Sequence, residues 1–202
     1  STSYFYVLDP TDYPESPYIE IQHDIPRFLE TMQEGILDET TIYKAFVAGT
    51  EHYFSEIIIE DQYLEMTVTH KQVMNPITAL KLISYYGESG IVNKLYITTW
   101  DGSSTSIWTY DPLHAENEDG LDEIAQIDTY ISKMDYNEKT LLLYLYGVEN
   151  DELKIVQMDV LEQFDGEVKD LNIHSLPSDK LTAVAVKTNE LLFDNENHVV
   201  DI

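Results

Sequence analysis

Cysteine is absent from this 202-residue chain. Disulfide frameworks, thiolate zinc sites and cysteine nucleophiles are excluded together, while the redox compartment stays open, because a domain of this size folds without covalent staples. Arginine occurs once, at Arg27, so bidentate clamping of phosphate or carboxylate ligands lacks its usual residue. No run of 18 apolar residues exists, and nothing reads as a membrane-spanning helix. Neither Gly-x-Gly-x-x-Gly nor Gly-x-x-x-x-Gly-Lys-Ser/Thr occurs, which removes the common nucleotide cradles. The chain opens Ser1-Thr2-Ser3 without an initiator Met. Two readings stand: a processed Met, or a removed N-terminal signal or anchor that would make the domain extracytoplasmic. Localisation is left undecided between them.

What is abundant is negative charge. Thirty-eight acidic residues against 11 basic ones give −27 with His neutral. If every base paired with one acid, 27 carboxylates would still lack a cation. Such a field repels DNA, RNA and anionic lipid, whose binding rests on Lys and Arg. It attracts basic proteins and divalent cations. The bland alternative is that the charge serves solubility alone. A hydrophobic fraction of 43% supplies a core, so the chain reads as one folded domain over 1–202 rather than a disordered acidic tail.

Along the chain, Ser3 to Leu8 reads as a strand, and the three prolines between Asp9 and Pro17 as a loop. Asp24 as cap, Pro26 in the first turn, Phe28, Leu29 and Met32 on one face and Gly35 as stop predict a helix. Thr41–Ala48, Tyr53–Ile59 and Tyr63–His70 alternate as a meander of strands. Asn75, Pro76, the stripe Ile77, Leu80, Ile83 and Tyr86, and Gly87 predict a second helix. Leu95–Trp100 and Ser106–Tyr110 form a hairpin around Asp101-Gly102-Ser103-Ser104, with Leu95 facing Tyr110 and Ile97 facing Trp108. Leu121, Ile124, Ile127, Ile131 and Met134 predict a third helix. Thr140–Gly147 and Leu153–Leu161 make another hairpin, and Val168–Ile173, Leu181–Val186, Leu191–Phe193 and His198–Ile202 are strand-like. The expected fold is α+β: a curved, mostly antiparallel sheet built from hairpins, with about three helices packed on one face and the other face open.

Catalytic and metal signatures fail one by one. Gly87-Glu88-Ser89-Gly90 is one residue short of a nucleophile elbow. The six histidines, His23, His52, His70, His114, His174 and His198, never fall within four residues of each other, so no zinc spacing is present. An EF-hand with Gly120 at its sixth position puts Ala115 and Gln126 where carboxylates are needed. Adventitious weak calcium at that loop or at Asp194-Asn195-Glu196 is the most that remains, and no cofactor is expected. Paired carboxylates for glycoside hydrolysis arise by chance among 38 acids and carry no information.

Three acidic groups are the candidate partner-binding residues: Glu116, Glu118, Asp119 and Asp122, with Glu123; Glu149, Asp151 and Glu152 at a hairpin tip; and Asp194 and Glu196, with Asp201. The expectation is a non-catalytic, inhibitory protein, not an enzyme, that docks a basic protein partner and occludes its active site. Nucleic-acid mimicry, and a carbohydrate-binding or carbohydrate-active domain using Tyr, Trp and carboxylates, are the alternatives. In its acidity, compactness and want of catalytic motifs the chain resembles the immunity proteins of bacterial toxin systems, a resemblance that no motif carries. It implies toxin neutralisation in a bacterium, with a toxin or effector as the partner.

Overall fold

The computed structural model describes residues 2–7, 19–24, 27–37, 40–60, 65–87, 90–111, 119–149, 152–161, 172–177, 183–187 and 190–194. All regular structure among them is antiparallel strand. The α+β expectation is therefore overturned: no described residue is helical. The chain divides into two compact units, Ser1–Val73 and Met74–Ile202.

The first unit holds the hairpin of β1 (Thr2–Val7) and β2 (Ile19–Asp24), and a four-stranded meander of β3 (Phe28–Leu37), β4 (Thr40–Ala48), β5 (Tyr53–Glu60) and β6 (Glu65–Gln72). The meander starts where the Arg27 amide donates to the Ala48 carbonyl at 2.8 Å. Lys44 and Glu56, on adjacent strands, form a largely buried ion pair at 3.2 Å.

The second unit repeats the plan twice. Strands β7 (Ile77–Gly87), β8 (Gly90–Trp100), β9 (Thr105–Tyr110) and β10 (Leu121–Ile127) form one meander. Strands β11 (Ile131–Asn137), β12 (Leu142–Glu149), β13 (Glu152–Asp159) and β14 (Asn172–Pro177) form the next. The pair β15 (Ala183–Lys187) and β16 (Glu190–Asp194) follows. A four-stranded up-and-down sheet, repeated along a chain, is the unit from which β-propellers are built. The two meanders pack face to face on a core of Ile83, Tyr85, Tyr96, Ile107, Ile127, Ile131, Leu143, Leu145, Val156, Met158 and Val160. Lys81 on β7 reaches Asp135 on β11 at 3.9 Å across the same boundary. The Thr105 hydroxyl ties the connection between the sheets, donating to the Thr129 carbonyl at 2.7 Å and accepting from the Ile131 amide at 3.2 Å.

The opposite face of β7–β10 is not open as expected. Leu80, Leu95, Ile97, Tyr110 and Leu121 lie there, each no more than 6% exposed. Leu95 stands opposite Tyr110 and Ile97 opposite Trp108, the register that the four-residue turn implies.

Why three helices were expected has one physical answer. Among the described pairings, register shifts fall only in β3, β7, β10 and β11, and these strands occupy the three stretches that read as helical. Each carries one extra residue: Glu34, Thr78, Ile124 and Ser132. A β-bulge slips the side-chain alternation by one position. Apolar residues then recur at a spacing of three rather than two, as in Leu121, Ile124 and Ile127. In β7 the supposed helical stripe is divided, with Ile83 on one sheet face and Leu80 and Tyr86 on the other. Buried apolar side chains on both faces over Ile77–Ile83 complete the imitation, because neither face there is wholly polar. Pro76 is a strand flank whose carbonyl accepts from the Trp100 amide at 3.1 Å. Between Ile127 and Ile131 the third supposed helix is a turn.

Candidate functional site

In the meander β7–β10, alternate connections lie at the same end of the sheet. The β7–β8 turn and the β9–β10 connection share one end; the β8–β9 turn and the exit of β10 share the other. The first end carries the described members of the first acidic group. Asp119 is exposed, and its carboxylate accepts from the Leu121 amide at 3.2 Å, a local turn that starts β10. Asp122 is half-buried and Glu123 exposed. Register places Asp122 opposite Thr109 and Glu123 opposite Trp108, so their side chains leave opposite faces. Glu116 and Glu118 lie outside the described residues.

Asp122 leaves the face of its sheet that packs in the seam between the two sheets. Lys94 is half-buried there, and burial lowers its ammonium pKa while Asp111 and Asp122 pull it back up. Burial, then Asp111, then the Tyr136 phenol push the Tyr85 hydroxyl up to about 12. Burial first, with Tyr85, Tyr136 and Asp159 nearby, raises Tyr96 further. The Tyr136 and Tyr146 hydroxyls are buried without a hydrogen-bond partner among the described residues. Tyr85, Tyr96 and Tyr136 belong to the seam, and Tyr146 lies on the opposite face of β12 from Leu143 and Leu145.

The second acidic group closes the β12–β13 hairpin, where Glu149 and Glu152 are register partners. Because Gly147 pairs with Ile131 at the start of β11, this tip lies at the end where β10 finishes. It is about one strand length, roughly 20 Å, from Asp119. Asp101 joins that second end. The amides of Ser103 and Ser104 donate to its carboxylate at 2.7 Å, as do their hydroxyls at 2.9 and 3.0 Å, and together they hold its pKa down to about 2. In the third group, Asp194 ends β16 opposite Ala183. Asp151, Glu196 and Asp201 lie outside the described residues. The described members of the first two acidic groups thus lie at opposite strand ends of the two meanders, rather than along one edge.

In the first unit, a cleft of about 460 Å³ is lined by His52, Tyr53, His70 and Gln72. Pairing of β5 with β6 sets Tyr53 opposite Gln72 and Ser55 opposite His70. His70 Nδ1 lies 2.9 Å from the Ser55 hydroxyl, and the Tyr53 and His70 rings meet edge to face at 5.5 Å. Ser55 is fully buried. Neighbouring Glu56 leaves the other face of the strand, where Lys44 holds it. Among the described residues, no group of three or more His, Asp or Glu side chains is placed to hold a metal ion.

Sequence reasoning missed this cleft, and also the exposed pair Tyr86 and Ile91 beside the β7–β8 turn. The cleft was within reach: setting Glu60 opposite Glu65 in the β5–β6 hairpin already puts Ser55 opposite His70. The pair was hidden by the helical reading of β7. No helix among the described residues is long and apolar enough to cross a membrane. In comparison with known proteins, no family model matches the chain, and no curated protein matches it.

Proposed function

We propose that this is a non-catalytic, inhibitory binding protein whose acidic surface docks a basic protein and occludes that partner's active site. One observation carries the reading: 38 acids against 11 bases are an excess of 27 carboxylates over cations. Most of the exposed acids among the described residues support it: Glu51, Asp101, Asp119, Asp128 and Glu138 stand in connections between strands, and Glu123 alone of the exposed acids lies within a strand. Connections are where a partner reaches first. Docking begins with long-range attraction, which raises association rates about 10- to 1000-fold and fades with ionic strength. Strand ends supported by a hydrogen-bonded sheet then present the carboxylates with little ordering cost. A toxin or effector with a basic catalytic cleft is the kind of partner that fits.

The test is affinity capture from source cells at low and high salt, followed by stopped-flow kinetics on the purified partner. A basic partner whose association slows at least tenfold from low to physiological salt supports the reading. A neutral or acidic partner, or a rate indifferent to salt, refutes it.

A further inference from the structure

Tyr86 is 84% exposed and Ile91 63% exposed. They are register partners at the tip of the β7–β8 hairpin, so both side chains stand on one face, side by side. Behind them the next pair on that face, Ser84 and Asn93, is tied by a 2.6 Å hydrogen bond. Gly90, with φ of 127°, turns the chain between them. A Tyr–Ile cross-strand pair left in water adds only about 0.2–1 kcal/mol to a sheet, so stability gives a weak reason for it. Large apolar side chains held out on a braced hairpin are instead the residues that carry binding energy at interfaces, with Tyr prominent among them.

The surroundings specify the occupant. The tip shares its end of the sheet with exposed Asp119; Glu123, exposed on the same face as Tyr86, lies farther along it, level with Ile97 and about 20 Å from Ile91. Glu88 follows Gly87 in the chain. The two bases nearest this end on β7 and β8 are both engaged from the other face: Lys81 with Asp135, and Lys94 beside Asp111 and Asp122. An apolar anchor on a strongly acidic chain, with exposed Asp119 at the same end of the sheet, complements a partner segment with an apolar side chain between lysines or arginines. A second copy of this chain would bring the same net −27 against itself. We infer that Tyr86 and Ile91 are the anchor of the docking surface, taking an apolar side chain from a basic protein segment. The inference rests on the basic-partner reading above.

Two synthetic peptides of equal positive charge separate the two claims. One is Lys/Gly only, and the other is the same peptide with two central glycines replaced by Leu. Both are titrated by calorimetry into the full chain and into Tyr86→Ser/Ile91→Ser. The Leu peptide is expected to bind the native chain about tenfold tighter than the Lys/Gly peptide, about 1.4 kcal/mol. The double variant should lose that gain while binding the Lys/Gly peptide unchanged. Asp119→Asn/Glu123→Gln should weaken both peptides alike. A gain that persists in the double variant, or is missing from the native chain, overturns the anchor and leaves the charge reading intact. Failure of both peptides to bind overturns both. Concentration-dependent dimerisation in sedimentation velocity, abolished by the double variant, would assign the patch to self-association and overturn the inference. Circular dichroism melts serve as the folding control for both variants.

Discussion

Gly147→Ala tests the junction between the two meanders of the second unit. Gly147 on β12 is buried opposite Ile131, and a Cβ placed on it would lie 2.0 Å from the Tyr130 carbonyl oxygen and 3.1 Å from Thr129 Cγ2. Carbon and oxygen normally approach no closer than about 3.2 Å, so the Tyr130 backbone must retreat by about 1 Å, and a packed interior resists that. Overpacking of this kind costs about 1–3 kcal/mol. Tyr130 sits between the Thr129 carbonyl and the Ile131 amide, both bonded to the Thr105 hydroxyl. Moving it strains two buried hydrogen bonds, adding about 1–3 kcal/mol if one is lost. The expected loss is about 2–6 kcal/mol, a large part of the 5–15 kcal/mol of a typical domain. Urea unfolding followed by tryptophan fluorescence is the assay. Trp100 and Trp108 are the only two tryptophans, both lie in this unit, and Trp100 meets Tyr130 edge to face at 5.4 Å. With a slope of about 2–3 kcal/mol per molar, the midpoint should fall by about 1–2 M. Gly35→Ala is the contrast: nothing lies within 4 Å of its Cβ position, so circular dichroism should show less than about 1 kcal/mol of change. A Gly147→Ala midpoint within about 0.2 M of the native protein, at unchanged slope, would refute the packing argument.

Three further outcomes follow from the charges and the tyrosines. Because the folded Asp101 carboxyl titrates at about 2, below its ordinary value, its stabilisation is present above about pH 4 and fades as pH falls toward 2. The stability gap between native protein and Asp101→Ala should narrow over that window in urea titrations, and a gap equal at pH 7 and pH 2 would contradict the assignment. Tyr85 is raised to about 12, and Tyr96 and Tyr146 are also raised by burial. The stability they contribute is complete below about pH 10 and is lost as pH rises through their folded values. Ultraviolet titration should therefore show a fraction of the 15 tyrosines ionising only together with unfolding, whereas smooth titration of all 15 near pH 10 would argue against the buried seam. Screening of the net −27 should raise the melting temperature between low and physiological salt; a fall on scanning calorimetry would mean that self-repulsion is not what limits stability.

Strands β4, β5, β8, β9, β12 and β13 were legible because their alternation is unbroken and their turns carry Gly, Asn, Asp or Ser. The β8–β9 register followed from turn length alone, down to Ile97 opposite Trp108. Strands β3, β7, β10 and β11 were not legible. One extra residue in each resets the alternation, and in β7 both faces carry buried apolar residues, so no wholly polar face betrays a strand. Capping signals such as Asn75-Pro76 and Gly87 flank sheets as readily as helices. The candidate acids were legible as groups in the chain. Their division between opposite strand ends of the two meanders was not, because it depends on which way each strand runs.

The sequence by itself determined the charge, the want of thiols and of catalytic or nucleotide motifs, and the cross-strand partners of the tight hairpins, since these follow from composition and local turn geometry. Only the tertiary structure decided that Leu95 and Ile97 are covered while Tyr86 and Ile91 stand in water. Alternation tells which side chains share a face of a sheet, and apolarity does not say whether anything lies against that face.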